Sequence, residues 1–248
     1  MPRRHKVLVT VLLLVGVLVI ATVAALVAGD GGGSTNYLDD IQRSVDDALL
    51  GERYHADLTK GKGDFTVVDD GGSASSYASD GYHLFAQGGA PAMRGVQING
   101  THSSLGVRIE VRTASGTAPF AFGPFCWHTP TEGYGLLVST SGEAFLAESR
   151  ADAADGFRMV RSSKVFPLDW SRWHTLRIDC SVTGAPGSHG TLHLRGSIDG
   201  QVVVRGTTKG RADVIAYAGF AGANAGTAPV DWVVRTYDRL GADDVGRN

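Results

Sequence analysis

Apolar residues follow three different spacings along this 248-residue chain. From Val7 to Ala28 they run with no charged residue among them, from Leu38 to Leu49 they return every third or fourth position, and from Asp64 to Tyr237 they alternate with polar ones. At about 1.5 Å per helical residue the first run reaches roughly 33 Å, enough to cross a hydrocarbon core of about 30 Å. Arg3, Arg4 and Lys6 stand in front of it, and basic flanks stay on the cytoplasmic side. The run therefore predicts a single-pass transmembrane helix at 7–28 behind a cytoplasmic basic tail at 1–6. Everything after it is expected outside the cytoplasm, at the cell membrane. The alternative is a cleaved export signal, whose apolar region is usually about 7 to 15 residues. Cleavage after Ala25 would place Val23 at the −3 position.

Gly29-Asp-Gly-Gly-Gly-Ser34 begins a flexible linker, 29–35. Asn36 then supplies an N-cap and Asp39 and Asp40 favour a helix N-terminus, so 36–50 is expected to be a short amphipathic helix. Leu38, Ile41, Val45, Ala48 and Leu49 make one apolar face of it.

The alternating region reads as strands. Leu105, Val107, Ile109 and Val111 share one parity, which sends Arg108, Glu110 and Arg112 to the other face. Leu176, Ile178, Cys180 and Val182 repeat the scheme, as do Leu192, Leu194 and Ile198. Asp199-Gly200 reads as a two-residue hairpin turn of type I′, and Asn99-Gly100 as a second. Further strands are expected at 65–68, 82–86, 135–139, 144–147, 157–160, 214–219 and 232–237. About a dozen short strands without intervening helices make an all-β, antiparallel two-sheet sandwich over 54–240, followed by a tail at 241–248.

The whole chain has 23 basic and 25 acidic residues; without Arg3, Arg4 and Lys6 the balance falls to 20 against 25. An exported part with that acidic excess argues against nucleic acid or an anionic membrane surface as its main partner. Cys126 and Cys180 are the only cysteines, and both share parity with apolar neighbours on their strands. In an oxidising compartment such a pair reads as one disulfide, with two buried free thiols as the alternative.

Ala121-Phe-Gly-Pro-Phe-Cys126-Trp, Tyr134-Gly-Leu-Leu-Val-Ser139, Trp173-His-Thr-Leu-Arg-Ile-Asp-Cys180, Ala218-Gly-Phe-Ala-Gly222 and Val230-Asp-Trp-Val-Val-Arg-Thr-Tyr237 follow one another in an order that resembles the concanavalin A-like (laminin G-like) jelly roll. The resemblance is to versions exported and tethered outside bacterial, in particular actinobacterial, membranes. It implies a jelly-roll sandwich, a shared disulfide between the two cysteine-bearing strands, and carbohydrate binding as a common use of the fold.

Catalysis is not expected. Glycosidases on this sandwich need two carboxylates held about 5 to 9.5 Å apart, which laminarinase-like enzymes carry as Glu-x-Asp-x-x-Glu on one strand face. The chain has no such motif, and Glu143 and Glu148 fall on opposite faces of a strand. No Gly-x-Ser-x-Gly elbow occurs, and His174, His189 and His193 sit in surface-like company. No metal or cofactor is expected. Asp69-Asp70-Gly71 and Asp152-Ala-Ala-Asp155-Gly156 read as ordinary Asp-Gly turns, with loop calcium as the sharper alternative.

Candidate ligand-binding residues are Trp127 and Tyr134, aromatic faces for a sugar ring, and the outward arginines Arg108, Arg112, Arg177 and Arg195, joined by Arg235. Trp170, Trp173 and Tyr77 are further aromatic candidates, whereas Trp232 shares parity with Val234 and belongs to the core. The arginine row has a plainer reading as a solvated face paired with Glu110, Asp179 and Asp231. The expected function is a membrane-anchored, non-catalytic module outside the cytoplasm that binds a cell-envelope glycan or glycoconjugate. The alternatives are a scaffold for another membrane protein and, more remotely, a glycan-active hydrolase.

Overall fold

The computed structural model describes residues 54–89, 91–116, 119–150, 156–183, 190–209, 215–242 and 245. The expected transmembrane run, the linker, the 36–50 helix, the Asp152 loop and His189 lie outside the described residues.

The described chain is fourteen strands in two antiparallel sheets. The larger sheet has the order β12-β11-β10-β5-β14-β3-β2. Its strands are Gln201–Lys209 (β12), Thr191–Ile198 (β11), His174–Thr183 (β10), Ser104–Ser115 (β5), Val230–Leu240 (β14), Gly81–Ala86 (β3) and Ser73–Ala78 (β2). An eighth strand, Tyr54–Asp57 (β1), pairs with the last part of β14 beyond the end of β3. The smaller sheet runs β4-β13-β6-β7-β8-β9. These are Pro91–His102 (β4), Ile215–Asn224 (β13), Phe120–Trp127 (β6), Gly133–Ser139 (β7), Glu143–Ser149 (β8) and Phe157–Lys164 (β9). The sandwich expected from the alternation is what forms.

Inward residues of both sheets make one core. Ile109, Ile178, Leu176 and Val107 come from the larger sheet, and Phe122, Leu136, Val138 and Phe220 from the smaller. Trp232 on β14 stacks on Phe122 of the facing sheet at 5.0 Å, and Phe220 packs on Tyr82 at 5.8 Å. Cys126 on β6 and Cys180 on β10 form a disulfide that ties the two sheets together, with Cα atoms 6.7 Å apart. Their shared inward parity puts both sulfurs between the layers. At the β11–β12 hairpin both turn residues have positive φ, 48° at Asp199 and 80° at Gly200, as a type I′ turn requires.

Two local expectations fail, each for a visible reason. Residues 65–68 are not a strand, because side chains there replace ladder partners. Tyr77 Oη accepts from the Phe65 N–H, Ser75 Oγ accepts from the Val68 N–H, and Tyr82 Oη donates to the Thr66 carbonyl. Phe65 is thereby pinned in the core against Phe220 and Tyr82. Asn99-Gly100 is not a hairpin turn either. It is a bulge inside β4, where the register against β13 shifts and Gly100 takes φ 78°. The strand continues to His102 and turns at Ser103 into β5.

Candidate functional site

The two outer faces of the sandwich differ in kind. On the smaller sheet, cross-strand register lines up two rows across all six strands. One holds Gln97, Tyr217, Trp127, Gly133, Ser149 and Phe157 in the order β4 to β9. The next holds Gly95, Gly219, Phe125, Gly135, Ala147 and Met159. Met93 with Ala221, then Leu137 with Phe145, continue the pattern below. None of these residues carries a charge.

The aromatic rings of this face lie across glycines. Phe125 faces Gly135 and Trp127 faces Gly133 on the neighbouring strand. A Cβ at Gly135 would stand only 2.3 Å from the Phe125 ring, and one at Gly133 only 2.5 Å from Trp127 Cδ1. On the other flank the Trp127 ring lies over Gly95, where an added Cβ would stand 3.2 Å from it. Phe125 and Trp127 stack at 5.3 Å, and Phe157 closes on Phe125 at 5.5 Å. The indole Nε1–H of Trp127 donates to Ser149 Oγ at 2.9 Å, and the Ser149 hydroxyl donates to the Thr131 carbonyl. Burial is deep at the centre of this layer, and Trp127 is 2 % exposed. Around it Tyr217, Phe145, Phe157 and Met93 are half-buried, and Met159 is 59 % exposed.

Trp127 thus takes the outward face that its parity demands, as the inner layer of an aromatic cluster rather than its exposed surface. Tyr134 points the other way, into the core, and is 5 % exposed. Its hydroxyl donates to Glu148 Oε1, while Arg158 Nε donates to Oε2 at 2.6 Å. Burial, with the Glu148 charge beside it, pushes the Tyr134 phenol up to about 12. The half-buried residues Tyr217, Phe145, Phe157 and Met93 were not among the sequence candidates. Their signal was apolar residues on both parities of one strand, as in Tyr134, Leu136, Leu137 and Val138.

The outer face of the larger sheet is charged and paired. Arg108 Nε donates to Asp238 at 2.9 Å, Arg112 pairs with Asp80 at 2.6 Å, and Arg177 Nε donates to Asp179 at 2.7 Å. Arg235 bonds Glu110 through both Nε and Nη2. Arg235 is the extra residue of a β14 bulge, which places it beside Glu110 in register with Thr236. Trp173 lies beneath the guanidiniums of Arg112 and Arg235, at 5.0 and 4.5 Å. Arg108 and Arg177 stand directly opposite each other, and Arg108, Arg112, Arg177 and Arg235 each have an acid beside them. Arg195 is the exception among the sequence candidates; its Nε is buried without a partner.

His83 sits between two carboxylates, with Nδ1 2.9 Å from Asp231 and Nε2 2.8 Å from Asp80. Burial disfavours its charged form, but bonds to both acids outweigh that and hold the imidazole above its ordinary value. His174 is held by Asp199 and the Asp169 carbonyl, and His193 by Thr183. Asp69 and Asp70 accept from the backbone N–H groups of Gly71, Gly72 and Ser73, which is turn chemistry. Trp170 is buried against Phe120, and Tyr77 is tied to the Phe65 backbone. A separate opening of about 680 Å3 lies between the end of β9 and the β11–β12 hairpin, beside Phe166, which is 91 % exposed.

The sequence matches no protein-family model and no curated protein. Among solved structures the fold is similar to the Crh5 transglycosylase in complex with NAG, at 16 % identity and a TM-score of 0.53, over 77 % of this chain and 84 % of that one. The apo Crh5 transglycosylase gives 14 % identity and a TM-score of 0.51, over 77 % and 85 %. A carbohydrate-binding module from Bacillus subtilis is more distant, at 13 % identity and a TM-score of 0.46, over 70 % and 94 %. At these identities the likeness concerns the fold, and the fold of this chain is the concanavalin A-like jelly-roll sandwich.

Proposed function

We propose that this chain is a non-catalytic glycan-binding module, held at the outer side of the cell membrane by residues 7–28, with its ligand on the outer face of the smaller sheet. The observation that carries this reading is the uncharged aromatic layer there, with Tyr217, Phe145 and Phe157 half-buried at its surface. Pyranose rings pack their C–H faces on aromatic rings, whose faces are electron-rich. Sites for such ligands are mainly apolar with a few placed polar groups, a role that Gln97 can fill at the edge of the same row. The likeness to a transglycosylase solved with NAG makes a glycan the natural ligand class to test. The placement of the carboxylates supports binding without turnover. Among the described residues of the two full rows there is no carboxylate, Glu143 lies at the end of its strand, and Glu148 is turned inward onto Tyr134 and Arg158.

Retention of the full chain, in detergent, on envelope polysaccharide fractions tests the reading. Retention is expected, and Tyr217→Ala should weaken it about three- to tenfold, the worth of one aromatic contact. No retention on any fraction would overturn the binding reading, and measurable release of sugars would overturn the non-catalytic one.

A further inference from the structure

Near the β12 edge of the larger sheet the pairing of arginines with acids stops among the described residues. Arg195 on β11 and Arg205 on β12 are direct cross-strand partners, so two guanidiniums leave the same face side by side. Like charges in that position destabilise a sheet unless a counter-charge joins them. The acid in register with Arg195 is Asp179, which already accepts from Arg177 Nε. Arg195 Nε remains buried without an acceptor, a costly state for a charged donor.

A third arginine comes from the other sheet. Arg161 on β9 passes over Gly206, where a Cβ would lie 3.6 Å from its Cδ and 2.9 Å from Leu146. Arg161, Arg195 and Arg205 line one cavity of about 530 Å3, and none of the three forms an ion pair among the described residues. Ser181 and Thr207 add hydroxyls and His193 an imidazole to the same walls, and Asp179, which accepts from Arg177, lines them too.

We propose that this cavity binds an anionic group, carboxylate or phosphate, carried by an acidic glycan. The glycan part rests on the function proposed above, whereas the anion part stands on the three arginines that line this one cavity. Guanidinium forks fit both kinds of oxyanion, and an anion between Arg195 and Arg205 would relieve the repulsion built into their register. The exported part otherwise carries an acidic excess, so affinity for polyanions has to come from a local site of this kind.

The test is a titration of the full chain in detergent micelles with polygalacturonate, poly(glycerol phosphate), polyglutamate and a neutral β-glucan. Polygalacturonate or poly(glycerol phosphate) is expected to bind, more weakly as salt screens the site. Arg161→Gln/Arg205→Gln should reduce that binding at least about tenfold and leave the β-glucan unchanged. Because the substitutions remove like charges, the melting temperature of the double variant should not fall, which separates lost binding from lost folding. If no anionic polymer binds, or if the double variant binds like the parent, the anion site is wrong. Equal, arginine-dependent binding of polyglutamate would keep the anion site and remove the glycan. Arginine-independent binding of the β-glucan alone would keep the glycan reading and remove the anion site.

Discussion

Reducing the Cys126–Cys180 bridge offers a quantitative test of how the two sheets are held. The bridge closes a loop with a sequence separation of 54, and the chain-entropy relation values such a closure at about 4 kcal/mol at 25 °C. In a domain of this size a kcal/mol is worth roughly 2 to 4 °C, so reduction should lower the melting temperature by roughly 8 to 16 °C. Reduction leaves both sulfurs in place and isolates the cross-link. Cys126→Ala/Cys180→Ala also removes two buried sulfurs, each comparable to a methylene at about 0.8 kcal/mol, so the variant should melt lower still.

The assay is thermal unfolding followed by circular dichroism, with and without reductant, beside mass spectrometry of the alkylated, non-reduced protein. The reasoning requires two conditions together: no alkylatable thiol before reduction, and a clear fall in stability after it. A melting temperature that is indifferent to reductant would refute it. The cross-link would then constrain nothing that the aromatic contacts between the sheets, such as Trp232 on Phe122, do not already constrain.

Two further outcomes follow from the charges and the packing. His83 is held above the ordinary histidine value of 6.5 by Asp80 and Asp231, so the stability it lends is fully present below pH 6.5 and is lost as pH rises through its folded value. Burial pushes Asp231 up and contributes a change of the same sign at lower pH. Urea melts between about pH 5.5 and 8.5 should therefore show falling stability with rising pH in the parent and a flatter profile in His83→Gln; parallel profiles would count against the pairing. Gly135→Ala would drive a Cβ into the Phe125 ring at 2.3 Å and the Pro124 carbonyl at 2.5 Å, and should cost about 1 to 3 kcal/mol by overpacking. It should also weaken retention on glycans, since Phe125 and Trp127 support the half-buried rings above them; unchanged stability would mean that the ring can step aside.

Strand parity carried much of this architecture into the sequence. It placed Cys126 and Cys180 inward, Trp232 in the core and Trp127 on the opposite face, because a period of two is a property of the single strand. Register is not, and the features that depend on it were hidden. That Phe125 meets Gly135, or that Arg195 stands beside Arg205, follows from pairings between strands that no local pattern encodes. Residues 65–68 misled for a related reason, since the hydroxyls that hold them come from Ser75, Tyr77 and Tyr82. Trp127 was a candidate because its parity was right. Its burial depended on neighbours two strands away, among them Gly95.

The contrast between the outer faces bears on which one meets a ligand. On the larger sheet Arg108, Arg112, Arg177 and Arg235 are each tied to an acid, so a ligand there would have to displace internal partners before gaining its own. On the smaller sheet the half-buried aromatic residues pack on an apolar layer, and covering them would remove apolar surface from water at about 25 cal/mol per Å2. Arg195 and Arg205 at the β12 edge belong with the second case despite their charge, because among the described residues neither forms an ion pair that a ligand would have to displace. An extended acidic glycan that used both regions would take its affinity from the aromatic layer and its selectivity from the arginines. Removing the arginines should then level the preference between acidic and neutral chains, whereas Tyr217→Ala should weaken both alike; the opposite assignment of losses would show that the two regions serve different ligands.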